Sequence, residues 1–352
     1  MHVMELLTQA VEKRVSDIFI ISNFEPAFRV ESEIVRTSFP LLRQEDARRL
    51  VEEIYELANG RDMTTLLKTG DDDFSFSLPG LGRFRANTCL QRGTVTAVIR
   101  VVLFELPDPE QLGIPPQVMD LVNSPKGMVL ITGSAGSGKS TTLACMIDKI
   151  NSARACHIIT MEDPIEYLHR HKKSIVTQRE IGGDSVSYVA ALRAVLRQSP
   201  DVILLGEMRD FETIEIAMTA AEAGQLIFST LHTTGAANTI DRIVDIFPVN
   251  QQQQIRLQLS MVLRAVVYQQ LIPSVDGKLV PAFEVMVVNP AIRNMIREAK
   301  TYQMDSAIFA GAAAGMCTMD ASLLELFRAG RITGENAVLY SLHPEEMQKK
   351  IS

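Results

Sequence analysis

The sequence predicts an α/β protein: a parallel, doubly wound sheet in its larger C-terminal part, preceded by a smaller α+β domain. Three observations carry this reading. The apolar run Met128–Ile131 leads into a Gly-rich turn and then a stretch of helical spacing. Beyond that turn, strand-like and helix-like segments alternate, the sign of a parallel sheet with helical crossovers. Ahead of it, residues 1–105 hold short alternating strands around one strongly amphipathic helix.

Taken in order, MELLTQAVEKRVSDI has helical spacing, and IFIIS, PAFRVES and EIVRT read as short strands separated by turn residues. QEDARRLVEEIYELA places Leu50, Val51, Ile54, Leu57 and Ala58 on one helical face and Arg and Glu on the other. After Asp71-Asp72-Asp73 come DFSFSLPG, GRFRANTC and TVTAVIRVV, alternating strands joined by Gly-containing turns. Arg85 and Arg100 lie on two of them, and taken alone they read as solvated sheet-face residues. FELPDPEQLGIPPQ, with Pro107, Pro109, Pro115 and Pro116, lacks either periodicity and reads as a linker over 106–116. The second domain then spans 117–352, opening with the helical PPQVMDLVNS.

Past the Gly-rich turn, HIITM, DVILLGE and QLIFSTL read as strands, and SYVAALRAVLRQSP and FETIEIAMTAAEAG as helices, the latter ending at Gly224. From Asn250 the chain reads as mostly helical through QQQQIRLQLSMVLRAVVYQQL. A short strand pair is expected around Asp276-Gly277, then a helical bundle over about 290–352. Asn289 and Pro290 are the start signal of that bundle.

Composition narrows the function classes. A net charge of −7 argues against a dedicated nucleic-acid binder. No apolar run approaches the ~18 residues needed to span a bilayer, and the N-terminus, with Glu5 and Glu12, lacks a signal-peptide core. Cys89, Cys145, Cys156 and Cys317 are scattered, without a C-x-x-C pair, and read as reduced thiols of a cytoplasmic protein.

The chemistry concentrates in GSAGSGKST. Gly133, Ser134, Ala135, Gly136, Ser137, Gly138, Lys139, Ser140 and Thr141 follow a strand and open a helix, as a phosphate-binding loop requires. Glycines let successive backbone N–H groups curl around phosphates, and the helix N-terminus adds donors and positive potential. Lys139 is expected exposed in an open loop, reaching the terminal phosphates of ATP, with the Ser140 hydroxyl on Mg2+. The three following strands each end in polar residues: Glu162 and Glu166, then Glu207, then His232. Ligands of open α/β sheets bind at such carboxyl ends. The aspartate usual at the end of the magnesium-ordering strand is absent, and Asp201 stands at that strand's other end, leaving Glu207 to order magnesium-bound or attacking water. Either Glu162 or Glu166 could act as general base, and His232 could hydrogen-bond a phosphate oxygen.

GSAGSGKST, ITMEDPIEYL, DVILLGEMRD and STLHTTGAANTIDRIVDIFP together resemble the Walker A, Asp box, Walker B and His box of the secretion ATPase superfamily. Within it the chain is similar to the type IV pilus retraction ATPases (PilT-like), nearly end to end. DFSFSLPGLGRFRAN, QRGTVTAVIR, AIRNMIREAK and TMDASLLELFRAG have counterparts there. The resemblance implies a PAS-like N-terminal domain on a RecA-like ATPase domain, assembled as a hexamer. It implies Glu166 as catalytic base, Glu207 as Walker B carboxylate, His232 as phosphate sensor, and Arg85 and Arg100 as arginines presented to nucleotide. It also implies work at the cytoplasmic face of the membrane on an inner-membrane platform protein, with a paralogous motor as a further partner and no direct nucleic acid. Two departures stand out: Gln225 replaces a frequent His, and Ser16-Asp17-Ile18-Phe19-Ile20 departs from an S-D-L-H-L pattern. Assembly and secretion members carry a four-cysteine zinc insertion that this chain lacks, and Ala291–Glu298 resembles the retraction signature. On that helix Ile292, Met295, Ile296 and Ala299 form an apolar stripe, with Arg293 and Arg297 at i, i+4. The expected function is a hexameric ATPase motor for pilus retraction. The alternatives are pilus extension, secretion or DNA uptake by the same engine, or a regulator that binds ATP without turning it over.

Overall fold

The computed structural model describes residues 2–30, 33–102 and 106–352. The chain forms two compact units, Met1–Glu105 with Glu166–Leu168, and Leu106–Ile165 with His169–Ser352.

The first unit is an antiparallel sheet with helices on one face. Helix α1 (Val3–Glu12) precedes strands β1 (Asp17–Ile20), β2 (Ala27–Val30) and β3 (Glu33–Arg36); α2 (Gln44–Leu57) and the short α3 (Thr64–Thr69) precede β4 (Asp71–Leu78), β5 (Gly82–Gln91) and β6 (Thr94–Val102). The order is β3-β2-β1-β6-β5-β4, so the unit's first strand pairs with its last. One face buries Ile18, Phe28, Phe84, Ala86, Ala97 and Ile99 against Leu6, Leu50, Val51 and Ile54 of the two long helices. The alternation predicted for β4–β6 is the pattern that a half-solvated antiparallel sheet requires. The short helix α3 carries no amphipathic pattern long enough to mark it; it ends on Gly70 in the left-handed conformation.

The second unit holds a seven-stranded sheet in the order β13-β12-β7-β11-β10-β8-β9. Helix α4 (Pro116–Asp120) leads to β7 (Gly127–Thr132) and α5 (Lys139–Ala153). Then come β8 (His157–Glu162), β9 (Ile175–Glu180), α6 (Tyr188–Val195), β10 (Val202–Leu205), α7 (Phe211–Ala223), β11 (Leu226–Leu231) and α8 (Ala236–Asp245). Strands β12, β7, β11, β10, β8 and β9 run parallel. Helices cover both faces. Met128, Leu130, Ile203 and Ile227 pack with α6, α7 and α8, while Val129, Ile131, Leu204 and Phe228 pack with α4 and α5. Coverage on both faces is why Met128–Ile131 of β7 and Val202–Leu205 of β10 read as unbroken apolar runs.

Two expectations are corrected here. The sheet is mixed, because β13 pairs antiparallel to β12. The helical stretch predicted from Asn250 to Leu271 stops at Val262, giving α9 (Val249–Val262), and the chain continues as β12 (Leu263–Pro273). Ala265, Val266, Val267 and Tyr268 are buried between β7 and β13, where β-branched and aromatic side chains favour a strand. The short strand pair is therefore a long hairpin, β12 with β13 (Leu279–Val287), across eleven and nine residues. Helices α10 (Pro290–Arg297), α11 (Met304–Ala310), α12 (Met319–Arg328), α13 (Gly334–Leu339) and α14 (Pro344–Ile351) complete the chain. Asn289 caps α10 by accepting from the Ile292 amide at 2.9 Å.

Candidate nucleotide-binding site

The loop between β7 and α5 is shaped by glycines that nothing else could replace. Gly133 (φ 143°) sits where a Cβ would lie 2.3 Å from the Gln269 carbonyl oxygen and 2.6 Å from the Ser137 hydroxyl. Gly138 (φ 88°) would place a Cβ 2.8 Å from the Gln269 amide nitrogen, and it precedes α5 in the left-handed conformation without offering a side-chain cap. The first amides of α5 thus receive no capping side chain from Gly138, the arrangement that leaves a helix N-terminus ready for an anion. Ser137 is buried and its hydroxyl has no protein partner. An orphaned buried hydroxyl inside a glycine-lined cradle fits a phosphate group.

Lys139 departs from expectation. It is 8% exposed rather than open to solvent. Its ammonium donates to the carbonyls of Gly133 and Ser134 at 2.9 and 2.8 Å. A buried ammonium needs acceptors, and the loop's own carbonyls supply them. Ser134, Ala135 and Gly136 are exposed at the loop tip, and Ser140 and Thr141 are half-buried at the start of α5.

Sequence reading missed Gln269 because it lies in the segment expected to be helical. On β12, one residue beyond the Tyr268–Thr132 pairing with β7, it is buried and accepts from the Thr142 hydroxyl at 2.8 Å. It therefore props the loop at Gly133 and again at Gly138–Thr142.

The neighbouring strand ends bring three of the expected residues to the carboxyl edge of the sheet. Glu162 closes β8 and accepts from Thr160 at 2.6 Å and from Gln178 at 3.3 Å. Glu207 follows β10 and meets the Arg209 guanidinium at 2.7 Å and the His232 imidazole Nε2 at 3.5 Å. So Glu207 and His232, from adjacent parallel strands, stand together as a pair. Tyr188, another residue missed from sequence, has its hydroxyl 2.6 Å from where a Cβ on Gly206 would lie. Burial, with Glu207, Asp163 and Glu162 nearby, pushes its phenol well above the usual range and keeps it neutral. Asp201 stands at the opposite end of β10, accepting from the His157 amide at 2.8 Å. Gln225 sits at the amino end of β11, where its carbonyl accepts from Gly127, the edge away from this site.

Glu166 is exposed, in the Glu166–Leu168 segment that groups with the first unit. Arg85 and Arg100 lie in the first unit, directly opposite each other on β5 and β6. They are not bare solvated charges. Arg85 forms a two-pronged pair with Asp73 at 3.1 and 2.6 Å, and Arg100 donates to Asp17 at 3.1 Å. On α10, Ile292 and Ile296 are buried, but Ala299 lies beyond the helix at φ 57° and is exposed, so it leaves the predicted stripe.

Comparison with known proteins places this geometry. The family model described as type II/IV secretion system protein matches residues 1–314. The chain is 44% identical over 337 residues to the type IV pilus retraction ATPase PilT of Pseudomonas aeruginosa, covering 96% of this chain and 97% of that one. It is 42% identical over 346 residues to a twitching motility protein of Neisseria gonorrhoeae, covering 98% and 92%. Among solved structures it is similar to the pilus retraction motor PilT with bound ADP, with a TM-score of 0.90, 45% identity and 99% of both chains covered. It is also similar to the Legionella pneumophila ATPase DotB, with a TM-score of 0.80, 27% identity, and 96% of this chain and 94% of that one covered. Matched over most of its length and homologous almost end to end to pilus retraction ATPases, the chain belongs to the type II/IV secretion system ATPase family.

Proposed function

We propose that this protein is a hexameric, ATP-hydrolysing motor that powers type IV pilus retraction, built from a PAS-like domain and a RecA-like ATPase domain that ends in a helical bundle. The observation that carries the reading is the glycine-shaped cradle beside the Glu207–His232 pair. It joins a phosphate-binding loop to groups that can order water and contact a phosphate oxygen.

In this reading the loop amides, Lys139 and the orphaned Ser137 hydroxyl bind the phosphates of ATP, and Lys139 exchanges its loop carbonyls for phosphate oxygens. Magnesium, when bound, neutralises charge on the phosphates. Ser140 would hold it directly and Glu207 through water. Glu166, by family likeness, orients and deprotonates the attacking water, with Glu162 as the neighbouring carboxylate. His232 contacts the terminal phosphate and registers its departure, and Arg85 and Arg100 stabilise charge on the transferred group. The partners proposed are five further copies of the chain, an inner-membrane platform protein and a paralogous motor, with no direct nucleic-acid contact. No helix among the described residues is long and apolar enough to cross a membrane; the attachment proposed at the cytoplasmic face is peripheral, through the platform protein.

Retraction is favoured over extension or secretion by the scattered, free cysteines and by the Ala291–Glu298 signature. Lys139→Ala should lower ATP turnover by roughly 10²–10³, the scale for losing one charge-stabilising group at a reacting centre. Turnover within tenfold of wild type would sink the nucleotide site. Cells lacking the protein should carry excess pili and not twitch; bald cells would assign the motor to extension instead.

A further inference from the structure

Glu284, on β13, is 1% exposed, a carboxyl in a place where charge is costly. It is two strands from the start of the phosphate loop, in the row Thr132–Tyr268–Glu284. Its two oxygens serve two different helices. Oε1 accepts from the Ala236 amide at 2.7 Å, the first residue of α8. Oε2 accepts from the Met319 amide at 3.4 Å, the first residue of α12.

The partner at α8 matters because of what precedes it. The N-cap there is Gly235, which has no side chain to offer, so β13 supplies the cap that the helix cannot make for itself. Between β11 and α8 lie only His232, Thr233, Thr234 and Gly235. That loop is tied at two further points, Thr233 to Thr239 at 2.7 Å and the Asn238 amide to the Thr234 carbonyl at 2.9 Å. Beside the His232–Glu207 pair, Glu284 is a second tie that reaches outside the segment. On its other side a cavity of about 380 Å³ opens between α11, α12 and α14, lined also by Asp305, Asp320, His343 and Lys350. Burial raises the Glu284 carboxyl above its usual range, opposed by the two amide bonds and reinforced by Asp305 and Asp320.

We infer that Glu284 is a positioning residue: by capping α8 from β13 while holding α12, it sets the His232 loop against Glu207 and ties phosphate sensing to the C-terminal helices. The inference rests on the role proposed above for His232. A buried carboxylate spanning two helix starts transmits a shift of either helix to the other, because neither can move without leaving an acceptor unpaired.

A double-mutant cycle on the full-length protein tests this. Glu284→Leu should lower kcat tenfold or more while KM for ATP stays within threefold. In a His232→Ala background the same change should lower kcat by less than twofold, since the residue it positions is gone. An equal proportional loss in both backgrounds, or no loss in either, overturns the inference. Should Glu284→Leu fail to fold, Glu284→Gln takes its place in the cycle; it keeps the shape and one acceptor but cannot accept at both oxygens. A second readout is independent of turnover. Hydrogen exchange in Glu284→Gln should accelerate at residues 232–240 and at the start of α12, and not elsewhere. Uniform acceleration, or none, overturns the positioning role, whereas a wild-type protein that turns over no ATP would overturn the motor reading instead.

Discussion

The second unit keeps its chemical residues at strand ends, and the first keeps them on a strand face. Glu162 closes, and Glu207 and His232 follow, parallel strands whose middles are buried on both sides, so these polar side chains reach solvent at the carboxyl ends. In the first unit a row runs across the solvated face, Arg29–Asp17–Arg100–Arg85, one residue from each of β2, β1, β6 and β5. Like charges directly opposite are unfavourable, and Arg100 faces Arg85. The sheet resolves this with local carboxylates: Asp17 serves Arg100 and also Arg29 at 3.1 and 3.4 Å, and Asp73 serves Arg85. The strand-end residues are therefore fixed by the core beneath them. The face arginines are held by these carboxylates and, being partly or largely exposed, can be removed with little harm to the fold.

That contrast makes the arginines a clean test, and the largest effect is expected there. Arg100 is 67% exposed, so its pair with Asp17 contributes at most about 1 kcal/mol to stability. If it reaches a nucleotide, its loss should cost roughly 10³–10⁵ in turnover, or about 4–7 kcal/mol of barrier. Arg100→Ala should thus be nearly inactive yet melt close to wild type. Mixed with Lys139→Ala protein, after subunit exchange is demonstrated by tagged pull-down, it should regain activity if the arginine acts across a subunit boundary. Wild-type turnover in Arg100→Ala would return the residue to a solvated sheet face.

A smaller effect, of opposite kind, is expected one residue along β4 from the partner of Arg85. Asp72 and Asp73 are neighbours, but the pleat sends them to opposite faces. Asp72 is buried, accepting from Arg61 at 3.0 and 2.9 Å and from the Tyr55 hydroxyl at 3.0 Å. Burial pushes its carboxyl up, but the bonds from Arg61 and Tyr55 outweigh that and hold it below the usual range. Removing one partner of a buried pair costs 3–5 kcal/mol. Because Arg61 is 40% exposed, about 2–3 kcal/mol is expected for Asp72→Asn, against under about 1 kcal/mol for Asp73→Asn. A depressed carboxyl contributes fully above its unfolded value, about pH 3.9. It loses that contribution as pH falls through the lower folded value. The melting difference between wild type and Asp72→Asn should therefore be large at pH 7 and shrink as the pH drops below about 4. A constant difference would deny Asp72 its charge.

Much of this was legible beforehand, and what was not has identifiable causes. The glycine loop and the polar strand ends stand in contiguous sequence, so a short window holds the whole signal. Strand β12 was hidden because Gln251 to Leu271 keeps an apolar pattern that both helix and buried strand satisfy. Only its place between β7 and β13 decides. Gln269 and Tyr188 were missed because their importance lies in what they meet, Thr142 for Gln269 and the Gly206 backbone for Tyr188, which no local pattern records. Lys139 was expected exposed because a Gly-rich loop reads as open, whereas the curl of the loop turns its own Gly133 and Ser134 carbonyls onto the ammonium. Nothing in the run Asp71-Asp72-Asp73 marks its middle residue as interior, which only the pleat of β4 decides.

The smallest effect sharpens the comparison on a helix rather than a sheet. Arg293 and Arg297 of α10 look equivalent at i, i+4, yet the structure separates them. Arg293 is half-buried and donates from Nε to the Ser260 carbonyl at 3.0 Å. That carbonyl lies in the last turn of α9, where a helix leaves acceptors unpaired and favours a cation. Arg297 is exposed. Arg293→Ala should therefore cost about 1 kcal/mol, the usual net value of such a bond, and Arg297→Ala under about 0.5 kcal/mol, as for an isolated surface charge. Neither residue belongs to the phosphate loop or to the strand ends around it, so ATP turnover should stay near wild type in both. Twitching is the discriminating measurement. If α10 meets a partner, Arg297→Ala should stop movement with its stability and turnover intact, while Arg293→Ala adds a measurable loss of melting temperature. If Arg297→Ala cells twitch normally, the exposed side of α10 is only a solvated helix face, and the signature's remaining role is the cap that Arg293 places on α9.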